Sequence, residues 1–94
     1  MDTGIKDYRL ESYLLIEDER DRQVELYGTE SILIRASDPV TAYLEKKLVI
    51  LMEEVGELAH EVLERRNDLA LDEAVQVAAV AMAIVEGLLE INEK

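Results

Sequence analysis

The chain reads as an all-α protein, a helical bundle built by oligomerisation. Apolar residues make up 49% of its 94 residues, with 4 Tyr and no Phe or Trp. They are mostly Leu, Val, Ile and Ala, and they recur at spacings of three and four, the period of a helix face. One Pro and four Gly leave little to interrupt helices. Apolar residues gathered in blocks exclude disorder despite the high charge. A domain of this length buries only a modest core alone, so association with further copies is expected.

The pattern predicts a single domain over 1–94 with three segments: an N-terminal helix and connection over 1–37, a second helix over 38–67 and a third over 68–92. In the first, Tyr8, Tyr13, Leu14, Ile16, Val24 and Tyr27 form an imperfect stripe from about Ile5 onward. Gly28 then suits a helix C-terminus, and Thr29 to Ser37 reads as a connection. The second helix opens with Ser37 or Asp38 as cap and Pro39 at the first helical position, where its missing N–H is not needed. Leu48, Leu51, Met52, Val55, Leu58, Ala59 and Val62 form its expected buried stripe as it runs to about Arg66. Asn67-Asp68 is a turn signal, with Asp68 a candidate cap for the third helix. Ala74 to Val85 of that helix is apolar on every side except at Gln76. Two neighbours from one chain cannot cover such a helix, which predicts a homo-oligomer, dimer or tetramer, with this helix at its centre. Gly87 reads as a small residue at a helix crossing, with a hinge as the alternative.

Charge and composition remove several function classes. Lys plus Arg number 10 and Asp plus Glu 22, a formal charge of −12. A chain this acidic repels nucleic acid polymers. With no Cys and a single His60, disulfides, thiolate metal sites, cysteine nucleophiles and multi-histidine sites within one chain are excluded. The N-terminus is polar and acidic, and Ala74–Val85 falls short of the roughly 20 residues a bilayer span needs. No membrane partner and a cytoplasmic location are therefore expected.

The chemistry concentrates in Glu53-Glu54-Val55-Gly56-Glu57. Glu54 and Glu57 are three apart on one helix face, where like charges cost roughly 0.2–0.5 kcal/mol per pair. No certain cation relieves them at helical spacing. Glu54 has Ile50, Leu51, Glu57 and Leu58 there, and Glu57 has Glu53, Glu54, His60 and Glu61. Glu61 differs, with Arg65 four residues on as an ordinary surface partner. Glu73 and Gln76 repeat the spacing on the third helix, where a buried amide must be satisfied. If the two helices are antiparallel, Glu57 and Glu73 lie at similar depth from the turn. The resulting oxygen pocket suits Mg²⁺, or Mn²⁺.

Glu54-x-x-Glu57, followed after fifteen residues by Glu73-x-x-Gln76, resembles the ExxE…ExxD signature of the MazG-like all-α nucleoside triphosphate pyrophosphohydrolases. Glu53 to Ala59 and Gln76-Val77-Ala78-Ala79-Val80-Ala81 are similar to the surrounding family wording. Glu19-Arg20-Asp21-Arg22-Gln23 with Tyr27-Gly28 resembles the "ER.RQ…WG" opening of a bacterial and phage branch. The likeness covers about residues 15–90. It departs at Gln76, where the family carries Asp: an amide offers a carbonyl oxygen but no charge, so the metal would be held more weakly.

The resemblance implies Mg²⁺-dependent cleavage of a nucleoside triphosphate to the monophosphate and pyrophosphate. Glu54, Glu57 and Glu73 become the expected metal ligands, with Gln76 a weaker or water-mediated one. Glu53 and Glu54 are the catalytic candidates, a carboxylate at the edge of the metal shell taking the proton of the attacking water. Arg20, Arg22, Lys46 and Lys47 are the candidate phosphate-binding cations, although surface pairing also accounts for Arg20 and Arg22 among Glu17, Asp18, Glu19 and Asp21. The alternative is a catalytically impaired homologue acting as a nucleotide- or protein-binding helical oligomer. A purely structural oligomer is a third reading.

Overall fold

A computed structural model describes residues 7–27 and 40–93. Three helices account for them: α1 (Arg9–Tyr27), α2 (Val40–Leu63) and α3 (Asn67–Glu93). Gly28, the connection to Ser37, Asp38 and Pro39 lie outside the described residues.

Asp7 starts α1 by accepting a hydrogen bond from the backbone N–H of Arg9 at 3.0 Å, as helix-capping side chains do. The Arg9 guanidinium also donates to this carboxylate, holding Asp7 below its ordinary value. The packed face of α1 consists of Ile16, Glu19, Arg20, Gln23 and Val24, whereas Tyr8, Tyr13 and Leu14 of the expected stripe are exposed.

α2 and α3 form an antiparallel hairpin, with Tyr43 and Leu44 against Gly87 at one end and Glu54 and Glu57 against Glu73 nearer the turn. α2 ends at Leu63, short of Arg66, because Arg65 adopts a left-handed conformation with φ 59°. Its N–H donates to the Val62 carbonyl at 3.1 Å, and the Arg66 N–H donates to the Glu61 carbonyl at 2.9 Å. These two bonds are the Schellman pattern, which satisfies carbonyls at a helix end. Arg65 is thereby turned off the helix. Glu61 pairs instead with Arg66, at 3.6 Å, in place of the expected Arg65. Asp68 falls inside the first turn of α3, where its charge complements the helix dipole.

α3 packs against both α2 and α1. It runs antiparallel to α1, since Arg20 meets Glu86 while Gln23 lines a cavity with Gln76 and Val80. Its buried positions are Ala70, Ala79, Val80, Ala83 and Gly87. Small side chains here let the neighbouring helices come close. A Cβ on Gly87 would meet Leu44 Cδ2 at 3.0 Å and Tyr43 Cε1 at 3.3 Å, which identifies this glycine as a crossing point.

A second set of apolar positions is uncovered. Of the stripe expected to be buried on α2, Leu51 and Leu58 are half-buried, whereas Leu48, Met52, Val55, Ala59 and Val62 are exposed. The helix is apolar on two faces, and a single chain covers one of them. On α3, Leu71, Met82, Val85 and Leu89 are likewise exposed. By length and composition, α3 as a whole is also long and apolar enough to cross a membrane, with 27 residues and a window of mean hydropathy 1.9. The shorter Ala74–Val85 stretch understates it, because apolar residues continue beyond Glu86. In this structure α3 packs on two helices and carries Glu73 to the carboxylates of α2.

Two substitutions test these local readings. Arg65→Gly removes the left-handed strain on a side-chain-bearing residue and should raise stability by about 1 kcal/mol, seen as a higher melting temperature. Gly87→Val forces atoms into the Tyr43–Leu44 contact and should lower stability by about 1–3 kcal/mol in the same measurement.

Candidate metal centre

The hairpin register brings together two carboxylates from one turn of α2 and one from α3. Glu54, Glu57 and Glu73 each offer an oxygen, and these three atoms lie within 4.8 Å of one another. Glu54 and Glu73 are half-buried and Glu57 is exposed. Glu54 Oε2 and Glu73 Oε2 are each buried without a hydrogen-bond partner among the described residues. Burial, reinforced by the two neighbouring carboxylates, pushes Glu73 up from its ordinary 4.5 to about 8. A proton can relieve this crowding, and so can a hard cation taking oxygen ligands.

Two cavities adjoin the cluster. The larger, about 640 Å³, is lined by Glu53, Gly56, Glu57, His60, Glu61, Leu69, Asp72, Glu73 and Gln76. Five of these nine residues are acidic, and none is Lys or Arg. The smaller, about 320 Å³, is lined by Glu19, Arg22, Gln23, Lys47, Ile50, Glu54, Gln76 and Val80. It brings cations and apolar surface beside Glu54, the one carboxylate of the cluster that lines it. Gln76, one turn beyond Glu73, borders both.

The residues singled out from sequence divide accordingly. Glu54, Glu57 and Glu73 converge, Gln76 adjoins them, and Glu53 lines the larger cavity. Lys47 and Arg22 line the smaller one. Lys47 is held below its ordinary value, first by burial and then by Arg20. Arg22 donates to both oxygens of Glu19, at 2.8 and 2.6 Å, which keeps the Glu19 carboxyl low. Lys46 is exposed and lines neither cavity.

Arg20 is the clearest departure from expectation. It is not a surface group; its side chain is 7% exposed and donates from Nη2 to Glu86 Oε2 at 2.6 Å. It lines neither cavity. A buried guanidinium needs a paired carboxylate, and Glu86 supplies one across the α1–α3 contact. Burial raises the nearby Tyr43 phenol, and the Arg20 charge opposes that rise.

Sequence reasoning did not pick out Asp72, Glu19, Gln23, Ile50 or Val80 as wall residues. Spacing alone contains a partial signal: Glu19 and Gln23 are four apart on the packed face of α1, and Asp72 precedes Glu73. Which helix they face depends on packing.

The raised Glu73 has a consequence for stability without metal. The folded protein holds this proton more firmly than the unfolded chain, so the contribution is present below about 4.5 and is lost as pH rises through about 8. In chelator, the melting temperature should fall as pH rises from about 4.5 to about 8, and Glu73→Gln should flatten that fall. An unchanged pH profile in the variant would show that Glu73 is not the group responsible. No family model, curated protein or solved structure matches the chain.

Proposed function

We propose that this protein is a divalent-metal-dependent nucleoside triphosphate pyrophosphohydrolase, releasing the monophosphate and pyrophosphate. The observation that carries the reading is the convergence of Glu54, Glu57 and Glu73 oxygens within 4.8 Å. The orphaned oxygens of Glu54 and Glu73 fit a hard cation, Mg²⁺ or Mn²⁺. The likeness of the ExxE and ExxQ elements to the MazG-like family supplies the reaction class.

In this reading Glu54, Glu57 and Glu73 hold the cation, and Gln76 adds a neutral carbonyl oxygen directly or through water. The bound ion would neutralise the carboxylates, accept phosphate oxygens and acidify a water molecule. Glu53, on the wall of the larger cavity, takes the proton from the attacking water, with Glu54 as the other candidate. Lys47 and Arg22 border the smaller cavity and face the phosphates there. Without such neutralisation, a polyphosphate would be repelled by a chain of charge −12.

The acting species is a homo-oligomer. Its support is the exposed Leu48, Met52, Val55 and Val62 on α2 and Met82, Val85 and Leu89 on α3. These recur at helical spacing, and exposed apolar stripes of this extent mark protein contacts.

Gln76 supports the second reading, a homologue that binds nucleotide without efficient cleavage. One charge fewer than four acids lowers metal affinity while leaving the pocket in place.

Pyrophosphate release from a panel of nucleoside triphosphates, at varied Mg²⁺ and Mn²⁺, tests the proposal. Release should require the metal and fall at least about 100-fold in Glu54→Gln, Glu57→Gln and Glu73→Gln. Metal should raise the melting temperature of the parent but not of Glu57→Gln. Binding without release would favour the second reading, and Gln76→Asp should then increase turnover. Sedimentation should give a dimer or tetramer that Met52→Glu converts toward monomer; a stable monomeric parent refutes the assembly.

A further inference from the structure

Val49, Met52, Gly56, Ala59 and Leu63 follow one another on α2 at spacings of three, four, three and four. This is the spacing of a seam by which one helix packs along another. Leu48, Val55 and Val62 widen it on one side. All eight positions are exposed, and none carries a charge. The half-buried Leu51, Glu54, Leu58 and Glu61 lie on the other face, toward α3.

Gly56 is the midpoint of the seam. A glycine inside a helix weakens it, and the fold of one chain gains nothing in return. A Cβ on Gly56 would meet nothing within 4 Å, whereas one on Gly87 would press on Leu44 and Tyr43. Gly87 marks a crossing within the chain. Gly56 has the same character on a face that no described residue covers.

The pattern of the face identifies its occupant. Turned about a two-fold axis through Gly56, the seam matches itself. Val49 meets the partner's Leu63, and Met52 meets the partner's Ala59, a large side chain against a small one. Flanking positions on the same side also face each other in an antiparallel pair. Glu53 therefore meets the partner's His60, a carboxylate opposite an imidazole N–H, and the symmetry makes this contact twice. Each copy carries −12, so two copies repel least where they meet through an uncharged face. We propose that a second copy of this chain covers this face, with the two α2 helices antiparallel and crossing at Gly56. Glu53, Gly56 and His60 also line the larger cavity. The crossing brings the partner's His60 to the edge of that cavity, beside the carboxylate read above as taking the proton from water. The inference rests on the homo-oligomer reading and adds the face, the direction and the residue that each copy lends to the other.

The chain has no Cys, so introduced thiols report on the pairing without background. Val49→Cys and Leu63→Cys chains, mixed and oxidised, should form a mixed disulfide-linked dimer. Each variant oxidised alone should give at least about five-fold less linked product, because an antiparallel pair holds its two thiols far apart. Gly56→Leu should weaken association at least about ten-fold in sedimentation, with the helices retained by circular dichroism. His60→Glu, which sets like charges at the flank, should also weaken it, and adding Glu53→Lys to the same chain should restore it. Self-linking without the mixed product shows a parallel pair and overturns the proposal. Unchanged association in Gly56→Leu, or no rescue by Glu53→Lys, does the same. An oligomeric parent that forms no mixed link keeps the assembly and loses this face, whereas a monomeric parent refutes both.

Discussion

Three carboxylates facing one another across the α2–α3 hairpin set the terms for the rest of the molecule. The contact exists because the turn fixes the register. Arg65, in a left-handed conformation, closes α2 at Leu63 and sends α3 back antiparallel. Small residues at Ala70, Ala79 and Ala83 let α3 lie close to its neighbours. The packing that results buries Glu73, and this burial, reinforced by the neighbouring carboxylates, raises it to about 8. A fold driven only by stability would place such groups apart or interleave cations. Their convergence carries a like-charge cost wherever all three are ionised.

The two sides of the cluster differ in chemistry. One cavity is bordered by Glu53, Glu57, Glu61, Asp72 and Glu73, the other by Arg22, Lys47, Ile50 and Val80. Glu54 belongs to the second side and Gln76 to both. In the proposed reaction this asymmetry separates water activation from substrate recognition. A neutral amide at the shared border adds an oxygen without further negative charge.

α1 shapes the second side. The buried Arg20 ties it to α3 by pairing with Glu86, whose side chain is 42% exposed. Burying a guanidinium is costly, and its value here lies in fixing one geometry, a role attested for some buried polar groups. Arg22 and Gln23 follow Arg20 within one turn, so a shift of Arg20 would carry both away from the cavity. A cation that was a natural candidate for phosphate contact thus serves packing instead.

Periodicity and composition by themselves determined the three helices, because apolar spacing and the scarcity of Gly and Pro leave helix as the consistent local structure. The pairing of Glu54-x-x-Glu57 with Glu73 was also legible, because an antiparallel hairpin with a short turn makes depth along the helices a matter of counting. Only the tertiary structure decided which apolar face of α2 meets α3. Both faces carry the helical period, and the one facing α3 includes Glu54 and Glu61 among half-buried residues. It likewise decided that Arg20 is buried, Arg22 borders a cavity and Lys46 is exposed. Cations on α1 and α2 look alike in a sequence, and the rotation of each helix about its own axis assigns them different surroundings.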